Sequence, residues 1–254
     1  MNAVDGLVED ATEAPLRLLR TATRGPQGYG AVLCNALAGV EVTPAWFEPR
    51  FWIARGAMRG QAFGRGATTL FEYAGRSYVL RHYRRGGVMA RLSADRFLWS
   101  GEARARPVRE LQLNLRMHAA GLPVPLPVAA RYERDGISYR ADLITELLPQ
   151  TRSLAEALAA ADVGLSVWAA IGRCIRVFHD YGLCHADLNA HNILLNDEEK
   201  IFLIDFDRGA RRAGGLWRDA NLARLRRSLD KLEDQRPQRR FDDAQWQCLL
   251  AAYF

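Results

Sequence analysis

Apolar and polar positions change period several times along the chain, and the changes divide it into strand-like and helix-like stretches. Thr68-Thr-Leu-Phe-Glu-Tyr73 and Ser77-Tyr-Val-Leu-Arg-His-Tyr83 are rich in β-branched and aromatic residues around Ala74-Gly-Arg76, which predicts a hairpin. Val128–Tyr132 and Ser138–Leu147 predict a second hairpin around Arg134-Asp-Gly136. A third is predicted where Ile193-Leu-Leu195 and Ile201-Phe-Leu-Ile204 flank the polar Asn196-Asp-Glu-Glu-Lys200. Ala62-Phe63 leading into Gly64-Arg-Gly66, and Gly30–Cys34, add further strand signals.

Helical stretches have clearer ends. Thr43-Pro44 reads as an N-cap followed by proline at the first helical position, opening one short aromatic helix through Trp46, Phe47, Phe51 and Trp52. Arg106-Pro107 opens a helix to about residue 119, closed by Gly121 with Pro123 just beyond. Further helices are expected near 153–160, 165–181, 218–233 and 241–252. Strands therefore dominate the first half and helices the second, an α+β pattern. Residues 1–28 show weak periodicity and end in Arg24-Gly-Pro-Gln-Gly28, so they are expected as a loosely ordered extension. The boundaries that follow are a sheet-rich N-terminal lobe over 29–148 and a mainly helical C-terminal lobe over 149–254.

The chain of 254 residues is long enough for two such lobes with a cleft between them. Its strongest chemical signal is His185-Ala-Asp-Leu-Asn-Ala-His-Asn192, followed at the end of the third hairpin by Ile204-Asp-Phe-Asp207. The hairpin would bring Asp205 back beside Asn192. An amide and a carboxylate can then hold Mg²⁺ on the phosphates of ATP, leaving Asp187 to accept a proton from an attacking hydroxyl. This constellation is shared by protein kinases and small-molecule kinases and does not separate them. His185 reads as a brace for the loop, whereas Asp207 reads equally as an aid to the metal or as a surface acid. His191 either packs or meets substrate.

A kinase-like N-terminal lobe needs a cation on its third strand, usually tied to a carboxylate on the next helix. The two lysines, Lys200 and Lys231, both lie too far along the chain to serve. Arg81 takes the position, with Glu110 as its expected partner. Val79, two residues earlier on the same strand face, would cover adenine. Gly64 and Gly66 would let backbone amides close over phosphates, and the connector at Glu146-Leu-Leu148 would offer backbone groups to the adenine edge.

Charge narrows the partners. Basic residues number 35 against 29 acids, and 33 of the 35 are arginine, gathered mainly over 81–116 and 208–240. Such stretches fit either a solvated face or a surface meeting phosphate, anionic lipid or nucleic acid. Nucleic acid is disfavoured because no aromatic–basic interleaving is present and the phosphotransferase constellation would stand idle. On the expected helix near 218–233 the leucines at 222, 225, 229 and 232 form a stripe. That stripe should pack inward and leave Arg218, Arg224, Arg226, Arg227 and Lys231 facing outward, toward an anionic membrane surface. No apolar run is long enough to span a bilayer, and acids precede any apolar stretch at the N-terminus, unlike a signal peptide. The four cysteines lack metal-like spacing and read as reduced thiols in a cytosolic protein. Nothing in the sequence points to a protein partner.

Gly64-Arg-Gly-Ala-Thr68, Tyr78-Val-Leu-Arg-His-Tyr-Arg-Arg-Gly-Gly87, the catalytic-loop and Ile204-Asp-Phe-Asp-Arg-Gly209 segments, and Asn221-Leu-Ala-Arg-Leu-Arg-Arg-Ser-Leu229 together resemble the 3-deoxy-D-manno-octulosonic acid (Kdo) kinases. These sit beside the heptose kinases of the lipopolysaccharide core in the protein-kinase-like superfamily. The resemblance covers about residues 28–235 and implies a two-lobed kinase-like fold with a shortened C-terminal lobe. It also implies ATP-dependent phosphorylation of the 4-hydroxyl of Kdo on a lipid A precursor, performed peripherally at the cytoplasmic face of a bacterial inner membrane. The alternatives are another small-molecule or sugar kinase, of heptose or aminoglycoside type, and a non-catalytic kinase-like binding protein. The absence of Ala-Pro-Glu after Asp207 argues against a protein kinase, and a basic chain argues against a polycationic acceptor.

Overall fold

The structure, a computed structural model, describes residues 16–25, 28–63, 67–84, 95–235 and 240–254. The chain forms two compact units. One holds the described residues up to His118 together with Pro125–Leu147; the other holds Ala119–Val124 and Leu148–Phe254.

The first unit is built on an antiparallel sheet. Its strands are β1 (Leu18–Gly25), β2 (Gly28–Asn35), β3 (Met58–Phe63), β4 (Ala67–Tyr73), β5 (Arg76–His82), β6 (Phe97–Leu98), β7 (Pro127–Asp135) and β8 (Ser138–Glu146), with helices α1 (Pro49–Ala54) and α2 (Arg106–Ala119). The strand order is β1-β2-β7-β8-β5-β4-β3, with β6 paired to β8. Turn chemistry sets the hairpins. Ala74 and Gly75 both take positive φ between β4 and β5, the requirement of a tight two-residue turn, and Gly136 does so between β7 and β8. Alternation along the strands sends residues to two cores. Ala31 and Leu33 of β2 join Tyr83, Val108, Leu111 and Leu143 in one cluster, which contains the apolar face of α2. Val32 and Cys34 join Trp46, Trp52, Phe71, Tyr78 and Leu80 in the other, where Trp52 stacks on Phe71 at 4.0 Å.

Three expectations are corrected here. Residues 18–25, expected within a loose extension, form β1 and pair along their full length with β2, because a strand on a sheet edge draws its order from the ladder and needs little periodicity of its own. The single aromatic helix expected from Pro44 is two elements, a 3₁₀ turn at Pro44–Phe47 and then α1. Pro49 has no N–H to continue the first turn and restarts the helix as an N1 residue. The 29–148 boundary also shifts, since Ala119–Val124 groups with the second unit.

The second unit contains β9 (Thr151–Ser153), α3 (Leu154–Ala160), α4 (Leu165–Asp180), β10 (Leu183–Cys184), β11 (Ile193–Asn196), β12 (Ile201–Leu203), β13 (Ala210–Arg211), α5 (Trp217–Asp234) and α6 (Asp243–Tyr253). A capping box at Ser153 and Glu156 starts α3, and another at Asp242 and Gln245 starts α6. Val167, Trp168, Ile171, Cys174, Ile175 and Phe178 give α4 a buried stripe at helical spacing. The stripe anchors the second unit's core under β12-β11-β9 and the short β10-β13 pair. Among the described residues no helix is long and apolar enough to cross a membrane.

Candidate active site

Residues 185–192 form the loop between β10 and β11, and nearly every polar group in it is fixed by a hydrogen bond. His185 is buried; its Nε2 meets the Ile204 carbonyl at 3.0 Å and its Nδ1 accepts from the Asp187 N–H at 3.3 Å. Burial lowers its pKa below the usual 6.5, so the imidazole is held neutral, in the tautomer that both bonds require. It is the brace that the sequence suggested. The side-chain amides of Asn189 and Asn192 both donate to the Asp187 carbonyl, at 2.9 and 3.0 Å. The backbone of Asp187 is thereby clamped while its carboxylate, about half exposed, points away from the core.

The hairpin then does what its sequence predicted. β11 and β12 pair with Ile193 opposite Leu203, and Asn196 Oδ1 closes the turn by accepting from the N–H groups of Glu198 and Lys200. The ladder continues one step further, where the Ile204 N–H donates to the Asn192 carbonyl at 3.1 Å. Asn192 and Asp205 are thus brought to the same end of the hairpin. Asp205 takes a positive φ of 66°, a conformation a non-glycine residue adopts at a cost and one that recurs at functional sites. Phe206 is buried beside the His185 ring and Phe178, which pins the residue after Asp205. Since the Asn192 Nδ2 is spent on Asp187, its Oδ1 and the Asp205 carboxylate are the oxygens presented. Hard oxygen donors in such small number suit Mg²⁺ held jointly with nucleotide phosphates. Among the described residues no cluster of three or more His, Cys, Asp or Glu is placed for a metal.

Helix α5 supplies what sequence reading missed. Asn221 Oδ1 accepts from the His185 N–H at 3.0 Å, Arg224 Nη1 lies 3.3 Å from Asp187 Oδ1, and Ser228 Oγ accepts from the Ala190 N–H at 3.2 Å. Positions 221, 224 and 228 share one helix face, so the spacing carried the signal although nothing in it named the partner. The leucine stripe packs largely as expected, with Leu222, Leu225 and Leu229 buried and Leu232 half-buried. The outward row of basic residues is corrected. Arg218 is tied to Asp180 and to the His179 carbonyl, and Arg226 to Asp230 and Asp243 over the rings of Phe241 and Trp246. Arg224, Arg227 and Lys231 remain exposed.

In the sheet unit, Tyr78 and Leu80 point to one core, leaving Val79 and Arg81, both half-buried, on the opposite face toward α2. There Arg81 Nη2 pairs with Glu110 Oε1 at 2.5 Å, and Glu110 is 1% exposed. Tyr83, which the sequence did not single out, stands between them: its hydroxyl donates to Glu110 and accepts from Arg81. The Glu146 side chain is committed to Arg76 at 2.9 Å, so at this position it is the backbone that can serve a ligand. The chain passes between its two units at Leu147–Leu148, where the connector was expected. Gly64 and Gly66 lie outside the described residues.

Comparison with known proteins identifies the family. Residues 49–253 match the model of the lipopolysaccharide kinase (Kdo/WaaP) family. A 3-deoxy-D-manno-octulosonic acid kinase of Xanthomonas campestris pv. campestris (strain B100) is 43% identical over 228 residues, 89% of each chain. One of Actinobacillus succinogenes is 40% identical over 215 residues, covering 82% of this chain and 89% of the relative. A third, of Photobacterium profundum, is 40% identical over 209 residues, covering 82% and 88%. With a family model spanning most of its length and relatives this similar, the chain belongs to the lipopolysaccharide kinase (Kdo/WaaP) family, with its two-unit kinase-like fold.

Proposed function

We propose that the chain transfers the γ-phosphoryl group of ATP to a hydroxyl of Kdo on a lipid A precursor, the 4-hydroxyl being the one the family resemblance implies. The observation that carries the reading is the catalytic loop, which clamps the backbone of Asp187 by two side-chain amides and leaves its carboxylate open to a ligand. Asp187 orients the acceptor hydroxyl and takes its proton as the new O–P bond forms and the bond from the γ-phosphorus to the departing ADP breaks. Asn192 Oδ1 and Asp205 would hold Mg²⁺ with the nucleotide, where it would supply charge stabilisation to the transferring group. Arg81, held by Glu110 and Tyr83, binds the α- and β-phosphates through its planar fork. Val79 and the backbone at Glu146–Leu148 receive the adenine, and Gly64 and Gly66 are the glycines assigned to the phosphates.

The acceptor is a lipid, so the enzyme works peripherally on an anionic membrane surface, at the cytoplasmic side of the inner membrane. Arg227 and Lys231 are the α5 residues left to meet that surface, each contributing on the order of 1 kcal/mol near an anionic leaflet. Mass spectrometry of a Kdo-lipid acceptor after incubation with the protein, ATP and Mg²⁺ tests the reading. Gain of one phosphoryl group on the sugar is expected. An acceptor that stays unmodified, while a heptose-lipid acceptor is phosphorylated, overturns it.

A further inference from the structure

Arg224 is unusual among the arginines of α5. Arg218 and Arg226 are answered by Asp180, Asp230 and Asp243, acids with no place in the chemistry. Arg224 is answered instead by Asp187, at 3.3 Å, and among the described residues its side chain pairs with nothing else. Both partners are about half exposed, 47% and 51%. A pair this open to water contributes little to folding, so stability is a poor account of why an arginine stands there.

The geometry suits recognition better. The helix that presents Arg224 is fixed on either side by Asn221 at His185 and Ser228 at Ala190, with Leu225 and Leu229 wholly buried beneath. The guanidinium is therefore offered from a rigid element. It carries five N–H donors in a planar fork, one of which is directed at Asp187, leaving the others for an anion. An acceptor hydroxyl hydrogen-bonded to Asp187 brings the rest of its sugar ring alongside Arg224. If that sugar is an acid, its carboxylate arrives within reach of the same guanidinium.

We infer that Arg224 is the specificity-determining residue for the acceptor: it holds Asp187 and binds the carboxylate of the sugar acid, so that an acidic sugar is accepted over a neutral one. This rests on the kinase reading above and names the group by which that site selects its substrate.

The test compares two acceptors, the Kdo-lipid and the same lipid with its sugar carboxylate converted to a primary amide. Wild-type protein should prefer the acid by about 10- to 100-fold in kcat/KM, as expected for one charge-assisted, bidentate contact. Arg224→Gln should reduce that preference to within about 3-fold, mainly through a raised KM for the acid, and Arg224→Lys should restore part of it. If Arg224→Gln lowers kcat for both acceptors alike and leaves the preference intact, Arg224 only positions Asp187 and the inference is overturned while the kinase reading stands. Failure of wild-type protein to phosphorylate either lipid overturns both.

Discussion

Glu110 has almost no access to water, and its charge is answered by Arg81 and the Tyr83 hydroxyl. Removing an ion-pair partner from a carboxylate this buried takes away part of what compensates its charge. Arg81→Ala should therefore lower the melting temperature as well as raise KM for ATP. Adding Glu110→Gln should recover much of the stability and none of the nucleotide affinity. Were the double variant to bind ATP normally, the phosphate clamp would have to lie elsewhere. For the catalytic loop, Asp187→Ala should cut kcat by roughly 10²-fold or more with nucleotide affinity nearly intact, measured by steady-state kinetics and ATP titration. Near-normal turnover would remove Asp187 from the role of base. Asp187, Asn192 and Asp205 were legible because one loop and one hairpin set their spacing. Tyr83 and Arg224 were not, since each gains its meaning from a residue brought near only by tertiary folding, 27 and 37 positions away.

Elements that carry their own punctuation were the ones the sequence made plain. Helix α2 is closed by Gly121, which takes a positive φ, and the β4–β5 and β7–β8 hairpins use Gly75 and Gly136 for left-handed turn positions. Strand β1 and the break at Pro49 depend on a neighbouring strand and on one missing N–H, and neither leaves a periodic trace. Helix α4 shows how packing overrides intrinsic preference. Gly172 lies in its interior, where alanine would ordinarily gain about 1 kcal/mol. A Cβ there would stand 2.2 Å from the Leu249 carbonyl of α6, well inside contact. Gly172→Ala should consequently destabilise the protein, by about 1–3 kcal/mol or more as the two helices are forced apart. Chemical denaturation measures this, and a stabilised variant would show that α4 and α6 do not pack this closely. Asn221→Ala belongs to the same scale: it strips the His185 N–H of its acceptor, and the orphaned buried donor costs about 1–3 kcal/mol.

Across the whole molecule the two units respond oppositely to acid. In the helical unit, burial depresses His179 to about 4 and also holds His185 below 6.5. A histidine depressed in the folded state takes up its proton more readily when unfolded. The stability tied to its neutral form is complete above pH 6.5 and is lost progressively as pH falls toward the folded value. For His179 the loss between pH 6.5 and 5 is about 2 kcal/mol, and His185 adds in the same direction. His179 also bonds the Tyr253 hydroxyl at 2.8 Å, a contact between α4 and the end of α6. In the sheet unit the sign reverses. The hydrogen bond to Asp142, which also receives Arg131, raises the pKa of His82, with Asp95 nearby. That contribution is fully present below pH 6.5 and fades only as pH rises through the elevated value. Between pH 7 and 5, amide hydrogen exchange corrected for its intrinsic rate should therefore show falling protection in α4 and residues 185–192, with β5 and β8 unchanged or better protected. His179→Gln should flatten the pH dependence in α4 specifically. Acid sensitivity that is equal in both units, or persists in α4 of that variant, would mean that other groups govern it.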